Sequence, residues 1–159
     1  MHSALTLLVA ALDEAFDHRS WHGTNLRSSV RGLSAEQAVW RPKPGRHNIR
    51  EIVVHAAYWK YAVRRLITGA ARGSFPHKGS NWFPRDGGHG LEWRRDVELL
   101  VDEHRQLRSA VALLAPRRLD ERSPKKRYTY TELIRGIAAH DLYHAGQIQL
   151  LKRLRGSHR

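Results

Sequence analysis

The feature that most constrains this chain is the spacing of its apolar residues. They recur every three or four positions, and no stretch alternates over a strand's length. In the first segment Leu5, Leu8, Val9, Leu12 and Phe16 share one helical face, and His18 and Arg19 suit its C-terminal end. Trp21, Gly23 and Asn25 mark a bend, after which Leu26, Val30 and Leu33 resume the pattern. Ser34 with Gln37 reads as a capping box opening a short helix that stops before Pro42. Asn48 with Glu51 opens the second long helix, whose stripe of Ile52, Ala56, Trp59, Val63 and Leu66 ends at Gly69. The third long helix carries Val97, Leu100, Val101, Leu107, Val111 and Leu114 ahead of Pro116. The fourth opens on a capping box of Thr129 and Glu132 and places Leu133, Ile137, Ile148 and Leu151 on one face. These segments predict an all-α fold: a four-helix bundle with a long crossover between the second and third helices, organised as a single domain over residues 1–159.

Residues 70–90 form that crossover. They hold Gly73, Gly79, Gly87, Gly88, Gly90, Pro76 and Pro84, with Phe75, Trp82 and Phe83 among them. A connection of this length is either a functional element such as a lid, which the aromatics favour, or an ordinary link between bundle helices.

Composition narrows the chemistry. With 41% hydrophobic and 27% charged residues the chain can bury a core and is not of the disordered type. It has no cysteine, so any metal must be held by nitrogen and oxygen, and no disulfide framework exists. No apolar run approaches the ~20 residues that span a bilayer, and no segment reads as a signal peptide, so a cytoplasmic location without membrane contact is expected. The net charge of +13 comes from 28 Lys and Arg, with local clusters that include Arg64-Arg65, Arg94-Arg95, Arg117-Arg118 and Lys125-Lys126-Arg127. Such a balance suits anionic partners. Aromatics are not interleaved with these clusters as in a stacking platform, so nucleic acid is a possible partner but not the favoured one.

Histidines supply the sharpest signal. Leu133, Ile137, His140, His144, Ile148 and Leu151 fall within roughly a 100° arc of the fourth helix. An imidazole on that face is costly unless bonded, and the i, i+4 spacing lets two rings meet one ion. The bland alternative is a pair of hydrogen-bonded core histidines. His55 lies at the edge of the second helix's stripe, beside Ala56 and Trp59. His104, on the apolar face of the third helix, is a weaker candidate for a fourth ligand. The other seven histidines stand in loops or at termini. No Glu lies between His140 and His144, which excludes the HExxH arrangement of zinc proteases.

The stretch His140-Asp141-Leu142-Tyr143-His144-Ala145-Gly146-Gln147-Ile148 resembles the last-helix motif of the DinB-like superfamily of four-helix metal-binding proteins. Trp40-Arg41-Pro42, followed by Asn48-Ile49-Arg50-Glu51-Ile52-Val53-Val54-His55, is similar to that family's entry into its second helix. Helix order and crossover agree, so the resemblance covers nearly the whole chain. It implies one divalent transition metal (zinc, nickel, iron or manganese) on His55, His140 and His144, with a coordination position left open. It also implies a homodimer and a small-molecule substrate. Relatives include transferases and isomerases that use a low-molecular-weight thiol, so a metal-dependent thiol S-transferase or hydrolase is expected. The alternative is a non-enzymatic metal-binding stress-response protein. Asp141 is a candidate outer partner orienting a ligand, against a locally paired or exposed carboxylate. Glu51 is a candidate base, against its capping role alone. Tyr143 faces another side and is expected to pack on a neighbouring helix.

Overall fold

The computed structural model describes residues 3–87, 89–124 and 127–156. Gly88 of the crossover and Lys125 and Lys126 of the basic run lie outside the described residues. Among those described the chain is all-helical: α1 (Ala4–Phe16), α2 (Leu26–Ser29), α3 (Ala35–Val39), α4 (Ile49–Thr68), α5 (Gly90–Ala112) and α6 (Tyr130–Gly156), with a 3₁₀ turn at Pro116–Arg118.

Local chemistry sets most of the boundaries. Ser3 caps α1 through its side chain, which accepts from the Thr6 N–H. Ser34 with Gln37 and Asn48 with Glu51 form reciprocal capping boxes at the starts of α3 and α4. At the start of α6, the Thr129 hydroxyl accepts from the Glu132 N–H while the Glu132 carboxylate accepts from the Thr129 N–H. Gly69 ends α4 in the left-handed region at φ 74°, its N–H returning to the Arg65 carbonyl, a conformation that favours glycine.

The four long helices pack as a closed ring, α1 against α5 and α6, and α4 against α5 and α6, the packing expected of a bundle. Ion pairs tie neighbours together: Arg50 with Asp96 (2.5 Å) and Arg64 with Glu103 (3.0 Å) join α4 to α5, and Arg108 with Asp13 (2.6 Å) joins α5 to α1. The α4 stripe is rotated from the sequence expectation. Trp59 is 39% exposed and Leu66 half-buried, while Ala57, Lys60 and Ile67 face inward.

Apolar residues form two clusters along the bundle. One holds Phe16, Ile52, Val53, Ala56, Trp93, Leu100, Ile148 and Leu151; the other holds Leu8, Leu12, Val63, Ile67, Leu107, Val111, Ile134 and Ile137. On α4, α5 and α6 the residues between these clusters include buried Lys60, His104, Asp141 and His144. A polar layer therefore crosses the middle of the bundle.

Candidate metal centre

His55 projects from α4 and His140 and His144 from α6, so the packing of α4 on α6 brings the three rings together. His55 and His144 are buried and His140 half-buried. The Nε2 atom of His140 lies 3.1 Å from Nε2 of His55 and 3.1 Å from Nε2 of His144. One donor atom from each residue falls within 4.8 Å of the others, so the three can hold a metal ion.

Hydrogen bonds fix which nitrogens carry lone pairs. Nδ1 of His55 is 2.8 Å from the Asn81 carbonyl oxygen, which can only accept, so Nδ1 is the protonated nitrogen and Nε2 is bare. Nδ1 of His144 donates likewise to Oε1 of Gln147 at 2.7 Å, leaving its Nε2 bare. A neutral His140 can offer one Nε2 proton to one of these two acceptors, never to both. Nδ1 of His140 is itself buried with no partner among the described residues. A cation facing all three Nε2 atoms satisfies every lone pair at once. Two nitrogens bound at ~2.1 Å to one ion, at angles of about 90–110°, lie about 3.0–3.4 Å apart, which the 3.1 Å separations match.

The rings are also held neutral, as ligation requires. Burial pushes His55 below its ordinary value, the Asn81 contact only partly opposing it. Burial, with the neighbouring rings and Lys60, brings His140 down to about 3, and burial brings His144 down to about 4.

The crossover between α4 and α5 closes one side of this group. Trp82 stacks on His55 with ring centroids 3.8 Å apart and on His47 at 3.6 Å, and meets His144 edge-on at 6.3 Å. Asn81, at φ 66°, presents its carbonyl to His55 and its side-chain oxygen to the Trp59 indole N–H at 3.0 Å. Phe75 and Phe83 pack beside Tyr58 and anchor the same segment. Asn81, Trp82, His47 and Gln147 thus belong to the site although sequence reasoning gave none of them a role there. The aromatics of the crossover were a signal for Trp82.

Other sequence candidates lie elsewhere or in other company. His104 is not part of the metal-capable group. It stacks on Phe16 at 3.7 Å, and its Nδ1 is 3.3 Å from Lys60 Nζ. Asp141 is fully buried and pairs with Lys60 rather than with any of the three histidines. Burial raises its carboxyl to about 6, against the pull of Lys60. Glu51 closes the α4 capping box and binds Arg41 (2.7 Å) and His47 (3.0 Å). Burial alone would raise its carboxyl, but hydrogen bonds from Arg41, His47 and the Arg85 N–H outweigh it and hold the group at about 2. Tyr143 is 64% exposed rather than packed on a neighbouring helix.

No curated protein and no solved structure matches the chain. A family model described as the DinB superfamily matches residues 17–148, a span that contains all three histidines and the crossover. The chain belongs to that superfamily.

Proposed function

We propose that this member of the DinB superfamily binds one divalent first-row transition ion, zinc, nickel, iron or manganese, through His55, His140 and His144. We further propose that it is a metal-dependent thiol transferase or hydrolase. The observation that carries the metal is the convergence of three Nε2 atoms, two of them left bare by the acceptors on their Nδ1 atoms. Three nitrogen ligands leave coordination positions for a reactant, the pattern of catalytic rather than structural sites. A divalent ion in such a site supplies Lewis acidity, ionising a coordinated thiol or lowering the pKa of water to ~7.

The chain's own residues would do the rest. Asn81 and Gln147 fix ring orientation and tautomer, as outer partners of ligand histidines commonly do. Trp82 shields the His55 side from water. Behind it, a pocket of about 440 Å³ is walled by Lys43, Arg46 and His47 together with Trp82, Gln147 and Leu150. Its cations support an anionic cosubstrate, such as a carboxylate-bearing low-molecular-weight thiol. Glu51 is too weak a base at about 2 to be given the proton-transfer role, and Asp141 is assigned to the buried ion pair.

Elemental analysis of untagged protein, followed by reconstitution with a series of divalent ions, tests the first step. We expect one ion per chain, lost in His144→Ala. A chain that takes up none of the ions overturns the reading. Turnover of thiol and electrophile pairs by the loaded protein, absent in His144→Ala, tests the second step. Full occupancy without turnover would favour the non-enzymatic stress-response alternative. The assembly expected from the family is a homodimer, which light scattering reads directly.

A further inference from the structure

One pocket reaches the histidine group from the side that Trp82 leaves uncovered. It lies between α4 and α6, encloses about 240 Å³, and ends on His140, the half-buried member of the three. Its walls are Trp59 and Val63 from α4 and Leu133, Gly136 and Ile137 from α6, with Tyr128 and Glu132 at the rim. In a chain of net charge +13 no Lys or Arg among the described residues lines it. We propose that this is the seat of the electrophilic substrate, and that the substrate has an uncharged apolar body of about one ring with its reacting polar end directed at His140. The proposal rests on the metal-centre reading given above and adds the substrate class.

Size and chemistry both restrict the occupant. A dry cavity of about 150 Å³ holds benzene, so this space has room for a ring and a short substituent. The walls offer dispersion and apolar burial, with the Glu132 carboxylate at the rim disfavouring an anionic body. Trp59 is a built wall rather than a loose surface ring. Its indole N–H is held by Asn81, and its ring meets His140 edge-on at 6.4 Å.

Gly136 is the telling residue. It sits inside α6 with ordinary helical backbone, and a Cβ placed on it meets no atom within 4 Å. The fold does not need glycine there, and glycine is the poorest helix former after proline. Gly136 lines this pocket, as it does the wider one beside Arg135 and Ala139, and its missing side chain leaves open space there. A larger residue at this position is expected to narrow the pocket while favouring the helix.

The test uses two probes that differ only in body, acetohydroxamate and benzohydroxamate, titrated into cobalt-loaded protein and read by the cobalt absorption bands. A third probe, benzyl alcohol, is read by the methyl resonances of Leu133 and Ile137 in metal-free and in loaded protein. We expect benzohydroxamate to bind at least about ten-fold more tightly than acetohydroxamate, since burial of each added carbon favours binding. In Gly136→Leu that preference should fall to within about two-fold while acetohydroxamate affinity and cobalt content hold and the thermal midpoint does not fall. Leu133→Trp, narrowing the pocket from the neighbouring turn, should act alike. Equal affinity of the two hydroxamates, or a preference that survives both substitutions in folded, cobalt-loaded protein, overturns the proposal. A chain that takes no metal yet shifts the Leu133 and Ile137 methyls with benzyl alcohol, and loses that shift in Gly136→Leu, retains the pocket and sinks the metal reading. A loaded chain without the methyl shifts does the reverse.

Discussion

Lys60 and Asp141 are each fully buried and paired across α4 and α6. A buried ion pair adds little to stability over an apolar pair, but breaking it strands the surviving charge at a cost of about 3–5 kcal/mol. Lys60→Met is expected to lower the unfolding free energy by about 3 kcal/mol, the lower end because Asp141 can relieve part of the loss by taking a proton. Adding Asp141→Leu should recover most of it; urea unfolding that shows the double variant as weak as the single one would mean the two are uncoupled. Gln147 carries a second prediction. Gln147→Leu removes the acceptor on His144 Nδ1 and should weaken metal binding by about 10–100-fold in competition with a chelator, whereas Gln147→Glu keeps an acceptor and most of the affinity. These residues also show what a sequence can and cannot disclose. His140 and His144 were legible because their own helix places both on its apolar stripe. His55 was legible chiefly through the family resemblance, since its own helix places it only at the edge of the apolar stripe. Lys60 stands between inward-facing Ala57 and Val63, but its partner is 81 residues away and no local pattern names it. His47 reads in the sequence as one more loop histidine, because its place against Trp82 and Glu51 exists only in the folded chain.

Among the elements, the long helices and their starts followed from short-range chemistry. Capping boxes at Ser34, Asn48 and Thr129 and the stop at Gly69 each need only residues three or four apart. The crossover obeys no such rule. Its aromatics forecast that it packs down, but which ring lands on which histidine depends on α4 and α6 meeting first. That tertiary dependence makes Trp82 the element's clasp: one ring contacts His47, His55 and His144. Stacked aromatic contacts contribute about 0.5–1.5 kcal/mol each beyond the area they bury. Trp82→Ala should therefore leave α4 and α6 in place yet raise the rate of metal extraction by a chelator roughly ten-fold, with amide exchange quickening in residues 79–84. Unchanged extraction and exchange would show that the crossover does not guard the site.

At the scale of the whole molecule, pH acts through the polar layer that divides the core. His104 is buried against Phe16, and desolvation, reinforced by Lys60, brings its pKa down to about 2. The unfolded chain takes up that proton near 6.5 while the folded chain refuses it. The stability contributed by a neutral His104 is therefore full above about pH 6.5 and is lost as pH falls, at ~1.4 kcal/mol per pH unit for each such proton. His140 and His144, at about 3 and about 4, act in the same direction once the metal is removed. Asp141, raised to about 6, acts oppositely: its contribution is full below its ordinary value of 3.8 and lost as pH rises through 6. Glu51 joins the histidines only below 4.5, as its pairing with Arg41 is lost on the way to about 2. The balance favours unfolding in acid, and a net charge of +13 adds repulsion. Salt separates the two causes, because it screens surface repulsion and leaves the desolvation of a buried ring untouched. Chelated protein should thus lose stability steeply between pH 7 and 5, and most of that slope should survive roughly 0.5 M salt. His104→Phe, which keeps a ring against Phe16, should flatten the slope by about one proton, or ~1.4 kcal/mol per pH unit. A slope abolished by salt and indifferent to His104→Phe would assign acid sensitivity to the basic surface instead of the buried layer.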